Sequence, residues 1–365
     1  MPLIDRKKVR LSVLVFLLVF YLQALISCSK EDPVVKETYV MGTKASITIY
    51  GMSRKKALDA AGKALHELHR LETVMSTWNP ESEISQLNLS AGKEPLVLSP
   101  ELSELIRIST LFSEKTGGAF DITARPLVRL WGFQDGAKQL PSDKEINNAL
   151  DRVGYGKIKI GENRNSVALP EGTQIDLAGV AKGYGVDRCA EILRKEGVES
   201  ALVNLGGNIY AFGSPPGKTG WVVGIRNPTG DSEITGYIIL KNEAVATSGN
   251  YENFIRRDDK TIGHIINPLT GRPVSGNTLS VTVISPTAAA SDALSTALFV
   301  LGPERGLDTL RKIKGNGSAD YISETARRAG KPAEAQYAKA VFIVSDDARI
   351  RFVKSSDLEG KVILE

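Results

Sequence analysis

The sequence predicts an α+β fold. Segments of strand character and segments of helical period follow each other in an irregular order along the 365 residues. A doubly wound parallel sheet would need single strands to alternate with single helices, and the mixture of strand-rich and helix-rich stretches argues against it. The length would allow two domains, so length alone does not fix the number of domains.

The strands are predicted from runs of apolar and β-branched residues, and the helices from apolar residues three or four apart that follow a capping residue or a proline. The predicted strands lie at 38–50, 157–160, 173–177, 200–204, 220–226, 235–241, 262–266 and 278–285. The predicted helices are Ser53–Met75, Pro100–Lys115, Asp143–Arg152, Val180–Glu196, Thr287–Leu301 and Glu304–Lys314.

The N-terminus has the features of a lipoprotein signal peptide. Basic side chains between residues 6 and 10 precede an apolar run at 11–26, and the sequence Ile26-Ser27-Cys28 follows. We expect residues 1–27 to be removed, Cys28 to carry the lipid and residues 28–37 to form a tether. The protein would then be lipid-anchored to a membrane of the bacterial cell envelope, facing the periplasm or the exterior. An uncleaved anchor is the alternative, because the apolar run approaches the lower length limit for a membrane span.

The charge of the chain argues against nucleic-acid binding. Removal of residues 1–27 takes away four Lys and Arg residues and one Asp, so the formal net charge falls from +4 to +1.

With Cys28 lipidated, Cys189 has no partner for an internal disulfide. We expect Cys189 to be a small buried apolar residue of the helix Val180–Glu196.

The segment 173–187 is the first candidate for a functional site. It is predicted to be a short strand that delivers Asp176 and Lys182 to the start of a helix, where unpaired N–H groups favour bound anions. Gly183 follows the lysine where a P-loop has Ser or Thr, and the segment contains no G-x-G-x-x-G motif. The alternative is that Asp176 only caps the helix.

The second candidate is an acid inside an apolar helix. The run 288–301 is apolar nearly all round, yet it contains Asp292, and Thr296 lies one turn further on the same face. A carboxylate, a hydroxyl and a backbone carbonyl form an oxygen set that suits Mg²⁺. The alternative is a structural acid that accepts a hydrogen bond from a neighbouring amide.

These segments belong to a series of blocks that resembles the ApbE family of FAD:protein FMN transferases, called thiamine-biosynthesis lipoproteins in older naming. Asn208 and Asn250 depart from the pattern, since many relatives have Asp there. The resemblance implies one catalytic unit of packed, T-fold-like α/β subdomains at 38–314. It leaves residues 315–365 as a mobile segment followed by C-terminal strands that complete the domain. The blocks are Val40–Thr43, Met75–Asn88, Gly117–Thr123, the Asp176 segment, Asn204–Asn208, Ala246–Tyr251, Gly263–Gly271 and the Asp292 helix, in this order within residues 38–312.

The resemblance also implies the site residues. Gly179 would offer a main-chain carbonyl to Mg²⁺, Asp292 and Thr296 would offer side-chain oxygens, and Ser295 is a weaker candidate. His264, between a strand and the turn Asn267–Gly271, is the expected general base, because a neutral imidazole can accept a proton from an alcohol. The residues at positions that contact FAD in relatives are Met41, Trp78, Ala119, Phe120, Asp121, Asp176, Lys182 and Ile265.

The expected reaction is Mg²⁺-dependent transfer of FMN from the substrate FAD to a Ser or Thr hydroxyl of a partner protein, with release of AMP. The partner would be an exported or membrane redox protein. An FAD pyrophosphatase, which uses water as the nucleophile, and a non-enzymatic flavin-binding lipoprotein are the alternatives. A purely structural lipoprotein would leave the acid of the apolar helix unexplained.

Overall fold

The computed structural model describes residues 32–133, 140–230, 234–250, 254–257, 260–315, 337–346, 349–358 and 360–364. Its helices are α1 Arg54–Met75, α2 Glu83–Leu89, α3 Pro100–Lys115, α4 Arg125–Trp131, α5 Asp143–Leu150, α6 Ala181–Lys195 and α7 Ala288–Gly315, with 3-10 turns at Ile122–Ala124 and Tyr155–Lys157. Its first strands are β1 Val34–Val40, β2 Thr43–Tyr50, β3 Leu96–Val97, β4 Lys159–Ile160, β5 Ser166–Ala168, β6 Ser200–Leu205, β7 Asn208–Phe212, β8 Trp221–Arg226 and β9 Ile234–Leu240. They are followed by β10 Glu243–Gly249, β11 Phe254–Arg257, β12 Lys260–Gly263, β13 Ile266–Asn267, β14 Arg272–Pro273, β15 Thr278–Ser285, β16 Lys339–Asp346, β17 Arg349–Lys354 and β18 Val362–Leu364.

An eight-stranded antiparallel sheet forms the centre of the fold, in the order β1-β2-β6-β7-β10-β15-β16-β17. Two tight turns lie in this sheet. Met41 and Gly42 connect β1 to β2, and Gly206 and Gly207 connect β6 to β7. The two turns lie side by side, because Gly206 donates its N–H to the carbonyl of Lys44 at 3.0 Å.

Both faces of the central sheet are covered. Helices α1, α6 and α7 pack on one face, and the three-stranded sheet β18-β9-β8 packs on the other. Side chains alternate between the two faces: in β16, Phe342 and Val344 join the core under the helices, while Val341 and Ile343 join the core under the small sheet. The apolar character of β15 and β16 follows from this two-sided burial.

The predicted α+β class is confirmed, and several elements have nearly the predicted bounds. Helix α3 and strand β15 match, α1 begins one residue later than predicted, and α6 differs by one residue at each end. The predicted break between two helices near residue 302 is present. Gly302 has φ 74° and ψ 175°, and Pro303 follows it, so the chain interrupts its helical path inside α7.

Three predicted strands are wrong in detail. Residues 38–50 form a hairpin instead of one strand, and residues 262–266 are divided between β12 and β13. The segment 173–177 has no regular structure. Its backbone polar groups are satisfied by side chains and by a turn instead of a neighbouring strand: Asn88 Oδ1 accepts from Ile175 N at 2.7 Å, Asn88 Nδ2 donates to Ile175 O at 2.9 Å, and Asp176 N donates to Ile122 O at 2.8 Å.

Short elements were missed by the periodicity analysis, among them α2, α4, β7 and β10, because their runs are too short to show a period.

Residues Val34–Glu365 form one compact unit by their contacts. The part of the chain that the structure describes contains no helix with the length and apolar character of a membrane span. The predicted signal peptide, Cys28 and residues 316–336 of the predicted mobile segment lie outside the described residues.

Candidate active site

A cleft of about 920 Å³ opens where the two turns of the central sheet meet the start of α6 and the side of α7. Of the residues predicted for catalysis, FAD and the metal, it is lined by Met41, Ala119, Phe120, Asp121, Asp176, Gly179, Lys182, His264, Ile265, Asp292 and Thr296. Segments more than two hundred residues apart in the sequence therefore meet in one cavity.

Trp78 is the exception among the predicted FAD contacts. It is not part of the cleft lining, and 66% of its surface is exposed. Its neighbour Thr77 nevertheless reaches the cleft wall, since the Thr77 hydroxyl donates to Asp176 Oδ2 at 3.2 Å. Trp78 thus lies one residue from the wall. The weaker candidate Ser295 is buried outside the lining, with its hydroxyl 2.8 Å from that of Ser248.

Asp176 is held in an ion pair that the sequence analysis missed. Arg125 Nη1 donates to Asp176 Oδ2 at 3.0 Å, and Arg125 Nη2 donates to the carbonyl of Thr77 at 3.4 Å. The other oxygen, Asp176 Oδ1, accepts from Ala178 N at 2.9 Å. Asp176 is therefore tied to protein groups on both oxygens, although it does not cap α6 itself.

The start of α6 carries both a cation and a buried carboxylate. Lys182 lies in the first turn, with its Nζ 3.1 Å from the carbonyl of Ala178. The N–H of Gly183 points to Asp292, whose Oδ2 accepts from it at 2.9 Å. The positive helix start thus stabilises a carboxylate of the protein, in addition to any anion beside Lys182.

Asp292 is 6% exposed, and burial raises the pKa of its carboxyl above the ordinary value. The charge of Lys182, the N–H of Gly183 and a hydrogen bond from the Asn208 side chain act in the opposite direction. The polar partners that the sequence analysis required for an acid inside an apolar helix are therefore present, and they come from α6 and β7.

The oxygen atoms around Asp292 fit a hard cation such as Mg²⁺. The Thr296 hydroxyl lies 3.4 Å from the Asp292 carbonyl, and it would lie 3.6 Å from a Cβ at Gly179, so the three predicted metal residues are neighbours. Asn208 adds a further oxygen: it is 5% exposed, and no donor from the described residues reaches its Oδ1. A buried carbonyl oxygen without a partner is destabilising, and a cation or its water shell would satisfy it. No group of three or more His, Cys, Asp or Glu side chains with metal-ligand geometry occurs in the described residues.

Asp121 lines the cleft, but its carboxylate is used within the protein. Oδ1 accepts from the N–H and the hydroxyl of Thr123 at 2.8 and 2.6 Å, and Oδ2 accepts from Tyr155 N at 2.8 Å. Burial raises the pKa of Asp121, while these hydrogen bonds act to lower it. The side chain thus fixes the loop between α3 and α4 and leaves little capacity for a ligand.

His264 lies on the wall formed by the segment between β12 and β13. The backbone is fixed on both sides of it. A Cβ at Gly263 would lie 2.1 Å from Asn250 Oδ1, and Ile265 O accepts from Val274 N at 2.9 Å. The following turn is anchored by Trp131, whose indole N–H donates to Gly271 O at 2.7 Å. The segment that carries His264 is therefore closely packed before it and hydrogen-bonded after it.

Met41 reaches the cleft from a backbone conformation that non-glycine residues rarely adopt, with φ 52°. Its N–H donates to Glu72 Oε1 at 2.7 Å, so α1 holds the turn in this conformation. Strain of this kind is common where a side chain must be presented to a ligand.

Several lining residues were not predicted, among them Thr43, Arg125, Gly206, Asn208, Thr247 and Ser248. Of these six, all except Arg125 lie inside the matching blocks, so the blocks themselves were the signal that could have identified them. Arg125 lies two residues beyond the block Gly117–Thr123, and nothing in the local sequence predicts that it pairs with Asp176.

Comparison with known proteins supports the resemblance found in the sequence. The model of the ApbE family matches residues 41–319. A protein of Escherichia coli named FAD:protein FMN transferase is 32% identical over 294 residues, which cover 79% of this chain and 83% of that protein. A protein of the same name from Vibrio cholerae is 35% identical over 243 residues, covering 66% of this chain and 72% of that protein.

The fold is also found among solved structures. The crystal structure of the ApbE protein from Thermotoga maritima superposes with a TM-score of 0.76 at 28% sequence identity, covering 90% of this chain and 98% of that one. The mixed arrangement of helices and sheet is therefore the arrangement seen in that crystal structure.

Proposed function

This chain belongs to the ApbE family, and on that premise we propose that it is a FAD:protein FMN transferase. The reaction moves FMN from FAD to a Ser or Thr hydroxyl of an acceptor protein, depends on Mg²⁺ and releases AMP. One observation supports this most strongly: a single cleft is lined by a lysine at a helix start, by neighbouring oxygen groups of a type that Mg²⁺ prefers, and by a histidine.

The chemistry requires charge stabilisation at a diphosphate. Asp292, Thr296, the carbonyl of Gly179 and Asn208 Oδ1 would hold Mg²⁺, which supplies neutralisation of the phosphate oxygens when it is bound. The Lys182 ammonium, near Asp292 and in the first turn of α6, stabilises negative charge on the same diphosphate. Met41, Phe120 and Ile265 supply apolar surface for the ring systems of FAD.

The transfer step needs one proton acceptor. The acceptor hydroxyl oxygen forms a bond to the FMN-side phosphorus, and its proton passes to the imidazole of His264. The bond between this phosphorus and the bridging oxygen breaks, and the bridging oxygen leaves with AMP. The product is a protein with FMN attached through a phosphoester.

A gel assay tests the transferase reading against the pyrophosphatase alternative. The mature protein is incubated with FAD, Mg²⁺ and total envelope protein, and covalent flavin is followed by its fluorescence on a denaturing gel. We expect AMP to form mainly when acceptor protein is present, in an amount equal to the bound flavin. Release of equal FMN and AMP without acceptor as the dominant reaction would establish a pyrophosphatase. Flavin binding without AMP in either case would establish a non-enzymatic flavin carrier.

The variant His264→Ala tests the general base. We expect FMN transfer to fall by about 10²–10⁴-fold, the usual contribution of a general base, while FAD affinity barely changes. In the wild type, transfer should also fall in acid, because only the neutral imidazole accepts a proton. His66→Ala is the matched control, since His66 is an exposed residue of α1 that does not line the cleft. Unchanged transfer by His264→Ala would remove the base assignment.

A further inference from the structure

We propose that Arg125 is a positioning residue for FAD, which fixes Asp176 and the turn Thr77-Trp78 together at the wall of the cleft. The inference rests on the proposed function, because it concerns residues expected to contact FAD. It adds to the site a cationic side chain that the local sequence does not predict.

The Arg125 and Asp176 side chains form a partly buried pair. Their side chains are 14% and 16% exposed, and the Nη1 to Oδ2 distance is 3.0 Å. A pair that is largely removed from water interacts more strongly than an exposed pair, which typically contributes little. The contact joins two segments 51 residues apart in the sequence, so it constrains tertiary structure and not only local geometry.

The pair is extended into a triangle by Thr77. Arg125 Nη2 donates to the Thr77 carbonyl at 3.4 Å, and the Thr77 hydroxyl donates to Asp176 Oδ2 at 3.2 Å. Trp78 follows Thr77 directly and is exposed. Its own N–H makes a long hydrogen bond of 3.4 Å to the Ser76 hydroxyl. The turn is closed by Asn79 N, which donates to Ser76 O at 3.2 Å, and the contacts of Thr77 with Arg125 and Asp176 tie this turn to the wall of the cleft.

The position of Arg125 is itself rigid. It follows the 3-10 turn Ile122–Ala124, whose first residue is preceded by Asp121 with three hydrogen bonds. Arg125 has a helical backbone, with φ −51° and ψ −42°, which the following Pro126 disfavours, so the hydrogen bonds around Asp121 and the start of α4 must hold it there. The guanidinium is thus presented from a fixed backbone, as a positioning group requires.

The triangle also limits what Asp176 can do with a ligand. A carboxylate offers about four acceptor positions. Oδ2 accepts from Thr77 and Arg125, and Oδ1 accepts from Ala178 N, so about one position is left for FAD. Asp176 is therefore suited to accept one hydrogen bond from a hydroxyl or a ring N–H, in an orientation that Arg125 sets.

Binding of FAD to the full mature protein, without Mg²⁺ or acceptor, tests the proposal. Calorimetry should show that Arg125→Gln weakens FAD affinity by about tenfold or more, the size of effect expected for hydrogen bonds to charged groups. Arg125→Lys keeps the positive charge but loses the bidentate geometry of the guanidinium, so its loss of FAD affinity should be intermediate. Arg129→Gln, one turn further on α4, exposed and outside the cleft lining, should bind FAD like the wild type.

A double-mutant cycle separates positioning from a general loss of stability. If Arg125 acts through the Thr77-Trp78 turn, the losses of FAD-binding free energy in Trp78→Ala and Arg125→Gln should be non-additive. The double variant should then bind FAD only slightly less tightly than the single variant with the lower affinity. Quenching of tryptophan fluorescence by acrylamide gives a second measurement of this coupling. Trp131 and Trp221 are buried, so acrylamide quenches mainly the fluorescence of Trp78. We expect bound FAD to protect Trp78 from quenching less in Arg125→Gln than in the wild type.

Three outcomes overturn the inference. They are an unchanged FAD affinity in folded Arg125→Gln, strict additivity with Trp78→Ala, and an equal loss in Arg129→Gln. If Arg125→Gln does not fold, the same cycle is run with Arg125→Lys, and an affinity equal to the wild type overturns the inference. A wild type that does not bind FAD would instead refute the proposed function, so the two failures are distinguishable.

Discussion

At the scale of single residues, the buried carboxylate of Asp292 is the centre of a group of polar contacts in the cleft. It accepts from Gly183 N, lies near the charge of Lys182 and receives a hydrogen bond from Asn208. These two hydrogen bonds and the Lys182 ammonium are enough to keep an acid within an apolar helix. Oxygen atoms of Asn208 and Thr296 nevertheless lie beside the carboxylate as well. A purely structural acid would not need that surplus of oxygen atoms.

The variant Asp292→Ala tests the metal role. We expect Mg²⁺-dependent turnover to fall by several powers of ten, about 3–5 kcal/mol of transition-state stabilisation, because the main charged ligand is lost. FAD affinity measured without metal should fall much less. Titration of the apoprotein with Mn²⁺ by electron paramagnetic resonance gives a second readout. Asp308→Ala is the control, since Asp308 lies on the same helix, has a half-exposed side chain and does not line the cleft. A folded Asp292→Ala that keeps its rate and Mg²⁺ response would make Asp292 a structural acid.

At the scale of elements, the site depends on the close crossing of α6 and α7. Asp187 in α6 accepts from the N–H of Ala288 at 2.7 Å and of Ala289 at 2.9 Å, and thereby caps the start of α7. In the opposite direction, Asp292 in α7 accepts from Gly183 N in α6. The two helices therefore satisfy each other's first turns, and this reciprocal contact places Asp292 beside Lys182.

The substitution Gly183→Ala tests the crossing. A Cβ at Gly183 would lie 2.2 Å from the Ala288 carbonyl oxygen, so the helices must separate. Overpacking costs about 1–3 kcal/mol, which exceeds the gain of up to about 1 kcal/mol from replacing a helical glycine. We expect a lower Tm and weaker Mn²⁺ binding. Gly62→Ala in α1 is the matched control: its Cβ would meet only the mobile end of Lys36, so Tm should hold or rise. Equal Tm changes in the two variants would contradict the crossing argument.

At the scale of the whole molecule, the fold is a layered frame that leaves one end open for the cleft. Helices cover one face of the central sheet and the sheet β18-β9-β8 covers the other, so the turns at the ends of the strands remain accessible. We propose that this frame is carried on the outer side of a bacterial membrane by a lipid on Cys28, where an exported acceptor can reach the cleft.

The substitution Cys28→Ala tests the anchor. We expect the precursor to stay unlipidated and the protein to lose its partitioning into detergent in Triton X-114 phase separation, while FMN transfer in solution is retained. Cys189→Ala is the control, because Cys189 is a buried free thiol of α6 and should not affect partitioning. Normal processing and detergent partitioning of Cys28→Ala would remove the lipoprotein proposal and leave the enzyme proposal intact.

Local pattern in the sequence was sufficient for the long elements and for the residue types at the site. Helix α3 and strand β15 could be bounded from periodicity and capping, because an amphipathic or buried face repeats at the period of its backbone. The blocks of the ApbE family identified Asp176, Lys182, His264 and Asp292, all of which line the cleft. The sequence alone therefore determined which residue types would be brought to the cleft.

Only the tertiary structure decided how these groups are paired. The segment 173–177 has the composition of a strand, but Asn88, distant in the sequence, satisfies its backbone. The contacts of the Arg125 guanidinium with Asp176 and of the Asn208 amide with Asp292 likewise join residues that are distant in the sequence. Hydrogen-bond partners of buried polar groups are set by which distant segments the fold brings within about 3 Å, and no local period encodes that distance.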